Sequence, residues 1–343
     1  GGFVSASPQK DESMPTWDLS ALAPDGGASI DVELKALAED AQAFRENWAA
    51  KLDACARREP EALALAIREY EALSDRMGRI SSFAYLNYVT NTGDPARAKL
   101  FGDTQDKLTD ISSLLLFFEL ELNRIDDAVM ETALRNPSVA HYAPWLRDLR
   151  KERPYQLADD IEKLFHEKNM TCAAAWGRLF NETLTELRFE VEGETLTIEP
   201  ALNLLSDADP AKRAAAAHAL AAVFRDKVRL FTLVMNTLTK DKEISDRWRG
   251  FPDVASSRHL SNRVEPEVVD ALVAAVTSSY PRLSHRYYAL KAKWLGMERL
   301  NYWDRNAPPT RDPEPVIPWP EARRTVIEAY DRFSPRMAAI ADG

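Results

Sequence analysis

Cysteine is scarce in this sequence, because Cys55 and Cys172 are the only two in a chain of 343 residues. Two cysteines cannot build the disulfide framework of a small secreted domain, so they indicate a reducing compartment and we predict a cytoplasmic protein. Both cysteines lie in segments with helical periodicity and have no histidine close by in the sequence. We therefore interpret them as buried structural thiols.

Long apolar runs and a signal peptide are also missing. The apolar stretch Leu114–Leu122 contains Glu119 and Glu121, and it is far too short to span a bilayer. Residues 1–15 are polar and rich in turn formers, without the basic start and apolar core of a signal peptide, so we expect a disordered or tag-like leader. The sequence thus predicts no membrane partner.

Positive charge is in deficit: 44 lysines and arginines stand against 54 aspartates and glutamates, which gives a formal net charge of −10. An acidic surface disfavours nonspecific binding to nucleic acid and to anionic membranes, so we predict no nucleic-acid partner. With 45% apolar and 29% charged residues, the chain has the composition of a folded globular protein.

Histidine is the residue whose scarcity matters most for chemistry. A zinc-binding helix needs two histidines one turn apart. No two of the five lie within five positions of each other; they are His141, His166, His218, His259 and His285. His166-Glu167 begins like H-E-x-x-H, but Met170 occupies the place of the second histidine. Glycine-rich phosphate cradles and nucleophile elbows are absent as well. We therefore assign no catalytic, cofactor-binding or metal-binding residue within this chain.

Helical periodicity dominates the chain, with apolar residues recurring every three or four positions. The predicted helices cover residues 31–55, 60–91, 95–124, 140–151, 158–184, 210–249, 268–295 and 319 to the end. Pro281 is a candidate kink within 268–295. Proline in the first turn, after Asp94 and again after Asp209, marks two of the helix starts. Short polar turns join the first three helices, which favours antiparallel neighbours and predicts an α-hairpin bundle.

One stretch changes to a period of two residues. The apolar residues alternate with polar ones on either side of Glu192-Gly193; they are Leu187, Phe189, Val191, Leu196 and Ile198. This pattern predicts a single β-hairpin that Pro200 closes. A lone hairpin is marginal in water, so we expect it to pack on helices. A short strand over 300–303 and a proline-rich loop over 305–320 are also predicted.

Aromatic residues are concentrated in the C-terminal third of the chain. They are Tyr280, Tyr287, Tyr288, Trp294, Tyr302 and Trp303. One interpretation places them in the core, where large aromatic side chains are usually buried. The alternative is a wall that binds peptides, because extended peptides dock in aromatic-lined grooves.

Several phrases in collinear order resemble oligoendopeptidase F, a zinc peptidase family of the thimet oligopeptidase superfamily. In the first part of the chain they are Trp17-Asp18-Leu19-Ser20, the stretch 136–164 with Arg153-Pro154-Tyr155-Gln156-Leu157, and Ala174–Phe180. In the second part they are Asp207–Arg213, Asn236 with Lys240–Lys242, Arg249-Gly250, Ser257–Asn262, Lys291-Ala292-Lys293 and Asp304–Pro308. Each phrase is short, and their common order carries the resemblance.

This resemblance implies a mainly α-helical fold: long antiparallel helices that form the N-terminal lobe of a channel-type oligopeptidase, with one small β-hairpin. It also implies short unfolded peptides as substrates and zinc as the cofactor of the parent enzyme. In the family, the zinc polarises the scissile carbonyl and activates water. Its H-E-x-x-H helix comes after the region that corresponds to 319–343, so no metal ligand can be carried over to this chain. The segment Leu300–Pro308 is expected to approach the cleft or to form a core strand.

We accordingly predict a leader over 1–15, an N-terminal helical domain over 16–185, and the start of a peptidase catalytic domain over 186–343. A new helical turn begins at Ser334-Pro335 just before the end, which favours truncation, and the fragment is expected to be inactive by itself. Two alternatives stay open: a noncatalytic helical module that binds peptides, and an unrelated helical scaffold. The oligomeric state and the peptide preference are left unknown.

Overall fold

Aspartate, asparagine and proline mark the beginnings of several helices in a computed structural model, which describes residues 18–309 and 317–342. The side chains of Asp94, Asp126, Asn136 and Asp209 accept hydrogen bonds from the first free N–H groups of the helices they precede. The mainly helical fold predicted above is confirmed.

The described helices are α1 (Ile30–Trp48), α2 (Leu52–Arg58), α3 (Pro60–Val89), α4 (Pro95–Arg124), α5 (Asp127–Ala133), α6 (Pro137–Ala140), α7 (Ala143–Arg150), α8 (Asp159–Lys168), α9 (Ala173–Glu186), α10 (Ile198–Asn203), α11 (Pro210–Asp226), α12 (Val228–Arg249), α13 (Ser256–Ser261), α14 (Pro266–Ser279), α15 (Ser284–Trp294), α16 (Trp319–Phe333) and α17 (Pro335–Asp342). Single 3-10 turns lie at Arg153–Tyr155, Asn169–Thr171, Leu204–Ser206 and Tyr302–Asp304.

The long helices α1, α3 and α4 form the predicted bundle. Early residues of α3 face late residues of α4, since Tyr70 stacks on Phe118 while Tyr88 stacks on Phe101. Helices α3 and α4 are therefore antiparallel, as their short connection predicts. The three helices of the bundle contribute buried apolar side chains to the core, among them Leu37, Phe44, Leu63, Ile67, Phe118 and Leu122.

The two strands β1 (Phe189–Val191) and β2 (Glu194–Leu196) form the predicted antiparallel hairpin. Glu192 and Gly193 both have positive φ, 51° and 88°, as a tight two-residue hairpin turn requires. The inward-facing Phe189 and Val191 pack with Ala216 and Leu220 of α11, so the hairpin does lie on helices. Ile198, predicted to continue the second strand, instead begins α10.

Four predicted helices are interrupted, and for three of them the continuous version is wrong. The segment 31–55 breaks at Ala49–Lys51, 158–184 over residues 169–172, and 210–249 at Lys227. The fourth, 268–295, is interrupted between Ser279 and Ser284, around the candidate kink at Pro281. Apolar periodicity continues across these short breaks in the sequence. A pattern of burial therefore cannot locate a single residue with non-helical dihedral angles.

Two further predictions need correction. The helix over 140–151 begins only at Ala143, after the separate turn α6. The final helix is divided at Ser334, whose φ of −160° and ψ of 113° are extended, and a new helix begins at Pro335 where the sequence predicted a new helical turn. Cys55 and Cys172 are both free and half-buried, so neither is the fully buried thiol that we expected. Burial nevertheless raises the pKa of the Cys55 thiol, which lowers its reactivity.

The chain divides into two compact units: residues 22–309 make up one, and α16 and α17 belong to the other. Within the second unit, α16 and α17 pack on each other. The predicted leader over 1–15 lies outside the described residues, as do 310–316 of the predicted loop. The boundary proposed at 185/186 stays a prediction. Among the described helices, none is both long and apolar enough to cross a membrane.

Candidate functional site

A groove of about 620 Å³ runs between α15 and the segment that follows it, residues 298–306. Its size lies within the range of about 300–1,000 Å³ that is typical of ligand sites. Apolar and aromatic surface predominates in the lining, with a few charged groups; the lining includes Tyr288, Ala292, Arg299, Tyr302, Trp303 and Arg305. Aromatic surface and charge thus share one concave face.

The segment that forms one wall of the groove is a capped 3-10 turn. Gly296 ends α15 with a φ of 69°, a left-handed conformation that favours glycine. The carboxylate of Asp304 then accepts hydrogen bonds at 3.0 Å from both the backbone N–H and the side-chain amide of Asn301. The backbone N–H of Asp304 donates in return to the carbonyl oxygen of Asn301 at 3.0 Å. The predicted strand over 300–303 is therefore wrong, because these bonds close a turn in place of a sheet ladder.

A buried ion pair fixes this turn to α11. Arg213 donates from Nε and Nη2 to Oδ1 of Asp304, at 3.1 and 2.9 Å, and the two residues are only 2% and 1% exposed. Nη1 of Arg213 donates to the carbonyl oxygens of Asp207 and Ala208. Every arm of this guanidinium therefore has an acceptor, which a buried charge requires.

A second buried cation holds the turn from the side of α15. Lys291 is 3% exposed, and its Nζ donates to the carbonyl oxygen of Arg305 at 2.6 Å. Burial, together with the nearby charge of Arg213, lowers the pKa of Lys291. The turn is thus attached to two different helices, which leaves the side chains on its outer surface in fixed positions.

The aromatic side chains at the groove are exposed. Tyr302 is 68% exposed and Tyr288 is 38% exposed, while Trp303 is half-buried against the ring of His218 at 5.2 Å between centroids. The hydroxyl of Tyr302 donates to the carbonyl oxygen of Ala217 at 3.4 Å. An apolar surface held in this way and left open to solvent is the kind of surface that binds a ligand.

The core interpretation of the C-terminal aromatic residues is therefore wrong for most of them. Five are exposed by more than a third: Tyr280, Tyr287, Tyr288, Trp294 and Tyr302. The structure brings Tyr288, Tyr302 and Trp303 together at the groove, whereas Tyr280, Tyr287 and Trp294 do not line it. The alternative interpretation, an aromatic wall, fits these three groove residues.

The histidines do not gather into a metal site. Nε2 of His166 lies 2.7 Å from Oγ of Ser112, so this ring takes part in a hydrogen bond between α8 and α4. No three His, Cys, Asp or Glu side chains in the described part of the chain are placed to hold a metal ion together. The donor set of residues 18–309 and 317–342 therefore does not fit the zinc that the resemblance implies.

A second polar contact joins α8 to α12. Arg249 donates to both carboxylate oxygens of Glu162, at 2.7 and 2.8 Å, and the ring of Tyr155 stacks on Phe251 at 4.1 Å between centroids. Burial raises the pKa of Glu162, but the hydrogen bonds from Arg249 and from the Leu157 N–H outweigh it. The pKa of this carboxyl therefore lies below its usual value.

Helix α14 presents apolar side chains to solvent along much of its length. Its exposed residues include Val268, Leu272, Val273 and Val276, and none of its residues is buried. Helix faces of this kind are normally covered.

Sequence reasoning missed the groove's polar framework. Arg213 and Asp304 belong to phrases that resemble oligoendopeptidase F, but they are 91 residues apart and nothing in the sequence pairs them. Arg299 and Arg305 were also missed, because isolated arginines in a loop carry no periodic signal. Arg213 stands before a run of alanines near the start of α11, and this is a signal from which its burial could have been inferred.

Comparison with known proteins finds oligopeptidases, in agreement with the resemblance stated from the sequence. The family model described as Oligopeptidase F matches residues 121–189. Oligopeptidase PepF of Bacillus subtilis is 22% identical over 286 residues, which cover 79% of this chain and 42% of that protein. Group B oligopeptidase PepB of Streptococcus agalactiae is 25% identical over 258 residues, which cover 71% of this chain and 42% of that protein.

The fold is also shared with a solved structure. The crystal structure of oligoendopeptidase-F from Enterococcus faecium superimposes with a TM-score of 0.74 at 21% identity, covering 92% of this chain and 60% of that one. The resemblance read from the sequence is thereby confirmed. The chain spans less than half of the length of the two curated relatives.

Proposed function

We propose that this chain, which is oligoendopeptidase F-like in sequence and in fold, is the N-terminal part of a zinc metallopeptidase that hydrolyses short peptides inside an enclosed channel. The groove along residues 298–306 is one wall of that channel. The single observation that carries this proposal is the groove itself: aromatic side chains exposed on a turn that two buried cations hold in place.

The groove has the properties that peptide binding demands. Tyr288 and Tyr302 present flat apolar surface with hydroxyl groups, which suits apolar side chains as well as the polar backbone of an extended peptide. Because the turn is attached to α11 and α15, little conformational entropy is lost when a ligand binds. This arrangement supports a substrate-binding role for residues 298–306.

The exposed face of α14 and the partial coverage of the relatives support the same proposal. The chain spans 42% of each curated relative, and α14 carries apolar side chains that are exposed to solvent. We infer that these side chains pack on further helices of the complete protein. The zinc ligands and the general base belong, in this proposal, to a part of the protein outside this chain, and no residue described here takes a chemical step.

The test is hydrolysis of an internally quenched peptide of about eight residues by the complete gene product. We expect turnover that stops with a zinc chelator and returns when zinc is added. The 343-residue chain alone should show no chelator-sensitive turnover. Turnover by the complete protein that persists in chelator would contradict the metallopeptidase proposal.

The groove also supports a second candidate, a noncatalytic module that binds peptides. Its exposed aromatic wall binds without any help from a metal. The two candidates are distinguished by the same complete protein: if it binds peptides but hydrolyses none of them with zinc present, the binding module is the correct function.

A further inference from the structure

Two arginines at the groove have no partner of opposite charge among the residues that the structure describes. Arg299 and Arg305 both line it, and neither side chain makes a hydrogen bond or an ion pair with any residue in 18–309 or 317–342. Glu298 is the one carboxylate in the lining, so the two guanidinium groups outnumber it. The described lining of the groove therefore carries an excess of positive charge.

Buried charge beneath the groove does not cancel this excess. The charges of Arg213 and Asp304 neutralise each other, since they are 2.9 Å apart and both buried. Lys291 bonds only to a neutral carbonyl oxygen, so its buried charge adds to the positive field at the turn. In a protein of net charge −10, this groove combines a local surplus of cations with aromatic surface.

The positions of the charges limit which ligand fits. Arg299, Tyr302 and Arg305 lie within seven consecutive residues of one short segment, so a ligand must present its carboxylate close to its apolar group. The last residue of a peptide has this arrangement, because its side chain and its free α-carboxylate are attached to the same Cα. Guanidinium groups bind carboxylates with paired hydrogen bonds, which adds orientation to attraction.

We propose that the groove binds the C-terminal end of a peptide, with an aromatic or large apolar last side chain on Tyr288, Tyr302 and Trp303 and the free α-carboxylate between Arg299 and Arg305. This inference rests on the proposed function and specifies which end of the substrate the groove holds. It gives the groove a preference for short peptides with a free C-terminus over chain-internal segments.

The test is fluorescence polarisation with the complete 343-residue chain and N-terminally labelled hexapeptides that end in phenylalanine. Three ligands are compared: the free acid, the C-terminal amide, and an amide that carries glutamate at the preceding position. We expect the free acid to bind about tenfold more tightly than either amide, which corresponds to the loss of one charge-assisted contact. The difference should shrink at high salt, because both arginines are exposed.

Matched variants connect this preference to the groove. Arg299→Gln and Arg305→Gln should each lower affinity for the free acid about fivefold and leave affinity for the amide unchanged. Arg286→Gln is the control, since Arg286 is an exposed arginine on α15 that does not line the groove, and it should change neither.

The outcomes separate this inference from the proposed function. Equal binding of the free acid and the amide, or equal binding of the free acid and the glutamate-containing amide, overturns recognition of the C-terminus while the channel wall stands. If the wild-type chain binds none of the three peptides, the channel-wall role fails and this inference fails with it.

Discussion

At the scale of single residues, the most consequential contact is the buried pair of Arg213 and Asp304. Replacing Asp304 with asparagine leaves the guanidinium of Arg213 buried without its countercharge. Loss of one partner of a buried pair costs about 3–5 kcal/mol, so Asp304→Asn should lower the free energy of unfolding by that amount. Urea denaturation followed by circular dichroism measures it.

An exposed ion pair provides the control for this prediction. Asp53 and Arg57 form an ion pair at 2.7 Å, but their side chains are about half exposed, so solvent screens the attraction between the two charges. Asp53→Asn should therefore leave the unfolding transition nearly unchanged. Equal effects of the two substitutions would show that the Asp304 pair is not buried as described.

Acid should weaken the contact between α8 and α12. Because the folded-state pKa of Glu162 is depressed, its contribution to stability is present above the ordinary carboxyl pKa of about 4.3 and is lost as pH falls through the folded pKa. Glu162→Gln should thus be less stable than the wild type at pH 7. The difference in the free energy of unfolding should narrow below about pH 4.

Glu119 should behave in the opposite way and serves as the comparison. Burial raises its pKa, although the hydroxyl of Tyr70 donates to it at 3.0 Å. Ionisation of Glu119 therefore opposes folding, and stability falls as pH rises above about 4.3. Glu119→Gln removes this penalty and should gain stability relative to the wild type as pH rises. A parallel pH trend in the two variants would contradict the assigned environments.

Residue-level features of the site were only partly accessible from the sequence. Tyr288, Tyr302 and Trp303 were identified as candidates because aromatic residues are conspicuous, and one of the two interpretations placed them on a wall. Arg299 and Arg305 were not identified, because the role of a charged loop residue depends on which residues lie near it in the folded protein. Pairing of distant residues is a property of the fold, and composition does not contain it.

At the scale of elements, breaks inside long helices account for most of the differences from prediction. Ala50 has a φ of 62° between α1 and α2, a left-handed conformation that costs about 1–2 kcal/mol for alanine. Its N–H donates to both carboxylate oxygens of Glu121 on α4, and this contact holds the break in place. The apolar pattern runs through the break, so periodicity alone predicted one helix.

Substitution at this break is a direct test of its strain. Ala50→Gly relieves the left-handed strain and should raise the free energy of unfolding by about 0.5–1 kcal/mol, after the added flexibility of the unfolded chain is counted. Ala49→Gly is the matched control, since Ala49 has an ordinary φ of −58°, and it should destabilise. Thermal unfolding of the two variants separates these effects; destabilisation by both would contradict the left-handed assignment.

The exposed helix α14 predicts self-association of the isolated chain. Leu272 and Val276 lie one turn apart on the same side of this helix and are 62% and 44% exposed. Replacing both with glutamine removes apolar surface without adding charge, so light scattering at increasing protein concentration should show less association. Ser278→Gln, at an exposed polar position of the same helix, should not change it.

The helix starts and the hairpin turn were predicted best where neighbouring residues in the sequence determine them. The caps at Asp94 and Asp209 and the positive φ values at Glu192-Gly193 depend on neighbouring residues, and the predicted helix starts and hairpin turn are confirmed. The strand predicted over 300–303 is wrong because this segment forms a turn that depends on Asp304. The position of Asp304 depends on its ion pair with Arg213. Long-range contacts override short-range preferences at that point.

At the scale of the whole molecule, the order of many weak sequence phrases was more informative than any one of them. Their collinear arrangement predicted the oligoendopeptidase F-like helical fold, which is confirmed, while no single motif carried chemistry. The groove could not be predicted, because its walls come from α15 and a turn whose position is set by α11.

The central claim is that the groove along residues 298–306 holds short peptides, and photo-crosslinking tests it most directly. A hexapeptide with a free C-terminus and benzoylphenylalanine as its last residue is irradiated with the 343-residue chain, and the labelled sites are mapped by mass spectrometry. We predict labelling concentrated within residues 287–306 and abolished by excess unlabelled peptide. Labelling spread over the helical bundle of α1, α3 and α4, or unaffected by the competitor, would contradict the account.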